Sequence, residues 1–503
     1  MKIKEEFFAH IEEGYTCKGD SITMGSAMLN GETLTNAFIK IPLKTLNRHG
    51  LIAGATGTGK TKTLQVMAEN LSQKGVPVLL MDLKGDLSGL AQPGPENAKI
   101  DERHTMIGMP FTPSAFPVEV LSLSEQEGVK LRATVSEFGP ILLSRILDLS
   151  VTQEGIVAVI FKYCDDNKLP LLDLKDFKKV LQYATENGKQ EFADSYGRIS
   201  TSSTGTILRK VIELEQQGAD LFFGEKSFEV DDLTRKDQNG HGYINIIRLT
   251  DIQDRPKLFS TFMLSLLAEI YATFPEKGDL DKPELIIFID EAHLIFNEAS
   301  KALLNQIENI VKLIRSKGIG VYFVTQNPTD VPDAVLAQLG LKVQHALRAF
   351  TAKDRKAIKL TAENYPISQY YNTIEVLTSL GTGEALISAL NEKVRPTPLA
   401  ATMLRAPMSR MDILNDTELK EVIDRSKLVG KYNETIDRES AYELLNDKID
   451  RAEIQAEKER NAPKRTTTRS SSRTSTRQNP VIKVLTSATF IRGVMGVLKK
   501  VMR

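Results

Sequence analysis

Short, unbroken apolar runs punctuate this 503-residue chain: GLIAG (50–54), VPVLLMD (76–82), YINIIRL (243–249), LIIFID (285–290), GVYFVTQ (320–326) and VQHALR (343–348). Each has the length of a strand, and continuous rather than alternating apolar character predicts strands covered on both faces. Helical periodicity follows the first run, in KTKTLQVMAENLSQKG, and precedes the fifth, in NQIENIVKLIRSKG. Strands alternating with helices predict an α/β fold built on a mostly parallel sheet.

The stretch from 112 to 236 breaks this rhythm. GPILLSRILDLSVTQEGIVAVIFKYCDD and TGTILRKVIELEQQGADLFF repeat at helical spacing, with few strand candidates around them. We read 112–236 as a mainly helical insertion dividing the α/β core into 50–111 and 237–411. A short segment, 1–49, comes before the core. Residues 412–461 are charged and helical, whereas APKRTTTRSSSRTSTRQNP (462–480) is too polar and low in complexity to pack and reads as a disordered basic linker. Residues 481–503 resume the spacing of an amphipathic C-terminal helix.

Composition narrows the class. Cys17 and Cys164 lie far apart without a partner motif, which argues against structural zinc and suits a reducing cytosol. The start, MKIKEEFFAHIEEG, carries acids where a signal peptide needs an apolar run. No run approaches the roughly 20 apolar residues of a membrane span. The reading is a cytoplasmic protein with no integral membrane segment. Lys+Arg and Asp+Glu balance at 65 each, yet 462–503 holds ten Lys/Arg and no Asp/Glu, leaving about −10 on the rest. That basic tail could track a phosphate backbone, lie on an anionic membrane surface, or carry a small helix that docks on the protein itself.

Residues 54–61, GATGTGKT, fit G-x-x-x-x-G-K-[ST] between an apolar strand and a helical pattern. Gly54, Gly57 and Gly59 let the backbone curl so that consecutive amides face phosphate at a helix N-terminus. The expected nucleotide-binding set is Gly54, Ala55, Thr56, Gly57, Thr58, Gly59, Lys60, Thr61 and Lys62. Lys60 would reach the β- and γ-phosphates of ATP, and the Thr61 hydroxyl would bind Mg²⁺.

The run LIIFID ends in an acid pair, Asp290 and Glu291. Two carboxylates at a buried strand end are costly unless chemistry uses them. Beside a phosphate loop, Asp290 would hold the Mg²⁺ shell and Glu291 would polarise the attacking water. Gln326 ends another strand, where it would lie buried beside the acids and sense the γ-phosphate; NP then stops the strand. In MDLKGDL (81–87), Asp82 either lies near the nucleotide or caps a helix. His293 either packs on its helix or orients Glu291.

Together GATGTGKT, FIDEAH, LIRSKGIGVYFVTQNP and QHALRAFTAKDRKAIK resemble the HerA/FtsK-like ATPases of the additional-strand P-loop class, and more closely the bacterial HerA-type helicase-like family typified by YjgR. The resemblance covers roughly 1–411 and extends into the insertion, in LRATVSEFGPILLSRILDLSVTQEG and TGTILRKVIELEQQGADLFFGE. It implies a RecA-like core, ATP hydrolysis, and a homo-oligomeric ring, usually a hexamer, with sites at subunit boundaries. It also implies an arginine supplied by the neighbour, for which Arg315 in LIRSKG and Arg348 in HALRAF are the candidates, Arg315 slightly preferred. One departure stands out. Archaeal-type relatives carry an N-terminal β-barrel, whereas the stretch before Gly54 has room for a strand pair only.

These readings converge on an ATP-driven motor that moves or remodels double-stranded DNA, the DNA resting on the resemblance alone. Two alternatives stay open: a nucleotide-gated assembly protein recruiting a partner through the helical insertion, and a secretion-type motor acting on protein.

Overall fold

The computed structural model describes residues 2–252, 255–278, 280–298, 301–434, 436 and 438–461; the expected linker 462–480 and helix 481–503 lie outside them. In chain order the strands are β1 (Ser21–Leu29), β2 (Glu32–Pro42), β3 (Gly50–Ala53), β4 (Val78–Asp82), β5 (Val118–Ser122), β6 (Val129–Lys130), β7 (Ile244–Arg248), β8 (Leu285–Ile289), β9 (Ile319–Thr325), β10 (Leu341–Gln344), β11 (Glu384–Ser388) and β12 (Ala400–Leu404). They form one sheet in the order β2-β1-β12-β11-β10-β3-β9-β8-β4-β7-β5-β6. From β10 to β6 all neighbours run parallel. The remaining four extend one edge in antiparallel pairing. β9 is interposed between β3, which leads into the phosphate loop, and β8, which carries the acid pair.

The apolar runs are buried throughout because their alternate residues feed two different cores. Leu79, Met81, Ile287, Ile289, Val321 and Phe323 join one cluster. Leu80, Ile286, Phe288, Tyr322 and Val324 join the other. On the first face lie the helices of the insertion, including Val151–Asn167 and Leu174–Thr185, which contribute Ile160 and Phe177. On the second lie helix Lys60–Gln73, through Leu64, Met67 and Leu71, and helix Lys2–Tyr15, through Phe7 and Ile11. A strand with two covered faces has no polar positions to spare, which is why period-2 alternation is missing from the sequence.

Several boundaries differ from those read in the sequence. β5 lies inside 112–236 yet pairs with β7 in the sheet; its run is interrupted by Glu119, buried against Arg235 Nη2 at 2.5 Å. The helical excursion is correspondingly shorter, from Val135 to Gln216. β10 occupies 341–344 rather than 343–348: His345 N–H bonds Ala53 O at the end of β3, and Ala346 O then accepts from Ala55 N–H of the phosphate loop. β11 and β12 went unread. Ahead of the core, β1 and β2 form a hairpin whose turn residues Asn30 and Gly31 have φ of +53° and +79°, the left-handed pair a two-residue turn demands. Among the described residues no helix is long and apolar enough to cross a membrane.

Candidate active site

The loop between β3 and helix Lys60–Gln73 is fixed at its ends and open in its middle. Gly54 N–H donates to Thr325 O at 3.3 Å, Ala55 N–H to Ala346 O at 2.9 Å, and Gly383 N–H to Thr58 O at 3.0 Å. Gly54 has φ +156°, and a Cβ there would lie 2.4 Å from His345 Cβ, so both backbone and space call for glycine. The first helical bond runs from Thr63 N–H to Gly59 O. Among the described residues the amides of Thr56, Gly57, Gly59, Lys60, Thr61 and Lys62 donate to no protein acceptor, and no side chain caps the helix. Six free donors around one helix N-terminus form a cradle for phosphate oxygens.

Lys60 folds back into this cradle. Its ammonium donates to Gly54 O at 2.7 Å and Ala55 O at 3.2 Å. Burial holds it below the usual lysine range, and the charge of Lys84 adds to the effect. The Thr61 hydroxyl is half-buried with no protein partner among the described residues, as a group reserved for a cation or phosphate would be. Lys62 differs from expectation: its ammonium is taken by Met411 O and Gln65, which brace the helix, so only its backbone N–H is offered to the loop.

Two strands away, Asp290 and Glu291 follow the end of β8, with side chains almost fully buried. Burial pushes the Asp290 carboxyl up to about 7; the charge of Lys84 opposes that rise and the charge of Glu291 adds to it. A carboxyl so poised is stabilised as carboxylate by any cation placed against it. Glu291 sits at φ +46°, a conformation uncommon for residues other than glycine and frequent at functional turns. Its Oε1 pairs with Lys84 Nζ at 2.5 Å, and its Oε2 lies 3.3 Å from His293 Nδ1. His293 therefore stands beside the acid, not packed away from it.

The remaining expected residues are placed unevenly. Gln326 follows β9 next to the phosphate loop, but it is exposed rather than buried. Thr325 Oγ1 and Asn327 N–H both donate to Asp330 Oδ2, at 2.7 and 3.2 Å, so the strand is capped at Thr325 and Gln326 falls in the turn. Arg315 is exposed at the opposite end of β9 from Gln326. Arg348 is exposed past β10, donating to Thr378 O at 3.1 Å. Neither arginine touches the loop or the acids of its own chain.

Three participants went unread. His345 is fully buried and shares a 2.8 Å hydrogen bond with Thr63. Arg103 donates to Gly383 O and Leu404 O, both at 3.1 Å, and so holds the glycine that caps Thr58. Lys84 lies within MDLKGDL, where the sequence signal is the acid at the strand end, Asp82.

A family model described as helicase HerA-like C-terminal matches residues 27–499. The chain belongs to that family. This HerA-like chain is 22% identical over 369 residues to the DNA double-strand break repair helicase HerA of Sulfolobus acidocaldarius, covering 70% of this chain and 64% of that protein. It is 24% identical over 384 residues to the probable helicase MJECL08 of Methanocaldococcus jannaschii, covering 69% and 65%. It thus spans just under two thirds of the length of these relatives. Among solved structures, the unbound monoclinic form of the bacterial conjugative coupling protein TrwBdeltaN70 aligns with TM-score 0.51 at 15% identity, over 81% of this chain and 94% of that one. TrwB in complex with the non-hydrolysable ATP analogue ADPNP aligns with TM-score 0.50 at 15% identity, over 79% and 99%. At that identity the likeness is one of fold, the RecA-like P-loop ATPase fold.

Proposed function

We propose that this HerA-like chain binds and hydrolyses ATP as a motor acting on double-stranded DNA. The observation that carries the ATP reading is the pairing of six unsatisfied amides and Lys60 with a buried acid pair two strands away. The amides and Lys60 would hold the phosphates. Thr61 and Asp290 would hold Mg²⁺, which when bound supplies positive charge to the phosphate oxygens. Glu291 would take a proton from the attacking water. That TrwB was solved with an ATP analogue agrees with this reading, and the relatives named as DNA repair helicases supply the choice of DNA.

The ring, hexameric by preference, is part of the same proposal. It is supported by the placement of Arg315 and Arg348, neither of which reaches its own site, so transition-state charge would need an arginine from a second copy. The test is steady-state ATP turnover with and without long linear double-stranded DNA, on wild type and Glu291→Gln. The expected result is turnover accelerated by DNA and reduced about 10²–10⁴-fold by the substitution, the range for loss of a general base. Turnover indifferent to DNA would move the substrate to a protein; turnover that survives Glu291→Gln would remove that residue from the chemistry.

A further inference from the structure

Lys84 stands where the two carboxylates need a cation. β4 and β8 are parallel neighbours with Met81 opposite Ile289, so the residues just past their ends lie side by side. The loop that carries Lys84 is held by a fixed turn. The Asp82 carboxylate accepts from Gly85 N–H at 2.7 Å, Asp86 N–H at 3.2 Å and Leu87 N–H at 3.2 Å. Gly85 turns at φ +75°, where a Cβ would come within 2.9 Å of Thr250. From this turn the ammonium reaches Glu291 Oε1 at 2.5 Å while its side chain stays 41% exposed; the Glu291 side chain is only 10% exposed. A partly exposed, solvent-reachable cation is thus laid across a nearly buried acid. The other carboxylate oxygen, Oε2, is buried without a hydrogen-bond partner, since His293 at 3.3 Å lacks the geometry for one.

A carboxylate oxygen held against an ammonium is blocked as a partner for water. We propose that Lys84 is a latch on Glu291: without nucleotide its ammonium occupies the acid pair, and it withdraws when ATP and its accompanying cation enter. This rests on the ATP reading above and adds to it a positioning residue that sets the resting rate. With the latch open, the water oxygen bonds to the γ-phosphorus and the bond from that phosphorus to the bridging oxygen breaks. The water proton passes to Glu291, and the electron pair leaves on ADP. The exchange is one of like charges: the entering cation at Asp290 and the ammonium at Glu291 would stand on adjacent residues and repel each other, so the ammonium leaves as the cation enters.

Two measurements test the latch. The first is amine acylation read by mass spectrometry, on wild type with and without Mg²⁺ and a non-hydrolysable ATP analogue. Labelling of Lys60 should fall, which reports binding, while labelling of Lys84 rises at least about threefold, as an ion-paired amine set free would. Unchanged or reduced Lys84 labelling, with Lys60 protected, overturns the latch. The second is DNA-free turnover of Lys84→Met, Lys84→Arg and Lys84→Met/Glu291→Gln. The expected pattern is a several-fold rise in kcat for Lys84→Met with KM within about twofold, a near wild-type rate for Lys84→Arg, and silence in the double variant. A fall in kcat for Lys84→Met would make Lys84 a structural or charge-stabilising residue and end the proposal. If Glu291→Gln alone turns over like wild type, the ATP mechanism fails; if it is silent and Lys84→Met is no faster than wild type, only the latch fails. If wild type itself is silent, the labelling still decides.

Discussion

His345 and Thr63 share a 2.8 Å hydrogen bond that ties the loop leaving β10 to the first turn of the P-loop helix. Burial holds the His345 imidazole down to about 4, with the charge of Lys60 adding to the effect. His49, also buried, is held down to about 4 and accepts from Val321 N–H on Nδ1 at 3.0 Å. An unfolded histidine takes up its proton near 6.5, so these two stabilise the fold fully above that pH and lose their contribution as pH falls from 6.5 towards 4. At pH 5 the loss is about 2 kcal/mol for each. Asp82, pushed up to about 6 by burial, acts in the opposite sense and stabilises as pH falls. The comparison that isolates the histidine is therefore urea unfolding at pH 7 and 5 of wild type and His49→Asn, whose oxygen can still accept from Val321. The pH-dependent drop should shrink by that amount in the variant.

Gly54→Ala meets two obstacles at once, the φ of +156° and the contact with His345 Cβ. We expect nucleotide affinity to fall at least about tenfold and stability by about 2 kcal/mol, from strain and displacement of the loop. Titration with a fluorescent ATP analogue alongside thermal melting reads both; wild-type affinity would mean that the loop has room the structure denies it.

Glu69 lies on the P-loop helix, fully buried, and accepts from Met408 N–H at 2.7 Å, Ser409 N–H at 2.9 Å and the Ser409 hydroxyl. Glu69→Ala leaves these donors without an acceptor, at a cost of about 3 kcal/mol. Chemical denaturation should show the loss. Unchanged stability would indicate that the 405–412 segment can re-pair elsewhere.

Arg315→Ala and Arg348→Ala separate the two arginines. Loss of the one that acts across a boundary should lower kcat about 10³-fold or more with little change in KM. Mixed in equal amounts with Glu291→Gln, that variant should regain about a quarter of wild-type turnover, the share of random neighbour pairs combining an intact glutamate with an intact arginine. Absence of recovery in either mixture would assign both arginines to the surface.

The phosphate loop and the acid pair were legible because each is a local device: one turn, one strand end, residues adjacent in sequence. What escaped the sequence was produced by pairing between distant segments. Lys84 meets Glu291 because β4 lies beside β8, and His345 meets Thr63 because β10 lies beside β3. Gln326 is exposed because Asp330, a residue in the next turn, ends the strand one position early. β5 was hidden by Glu119, a charge that only makes sense once Arg235 is known to face it. β11, in GTGEALISAL, is short and rich in residues that also suit helices, so its pattern did not distinguish the two.

The position of β9 has a metric consequence. Adjacent strands stand about 4.8 Å apart, so one interposed strand sets the P-loop strand and the acid strand about 10 Å from each other. Lys60 feels the charges of Glu291 and Asp290, yet among the described residues no ion pair joins it to either. Were β3 and β8 direct neighbours, the lysine would close on the acids and seal the cleft with a salt bridge. β9 works as a gauge block, holding the phosphate loop and the acid pair one strand apart.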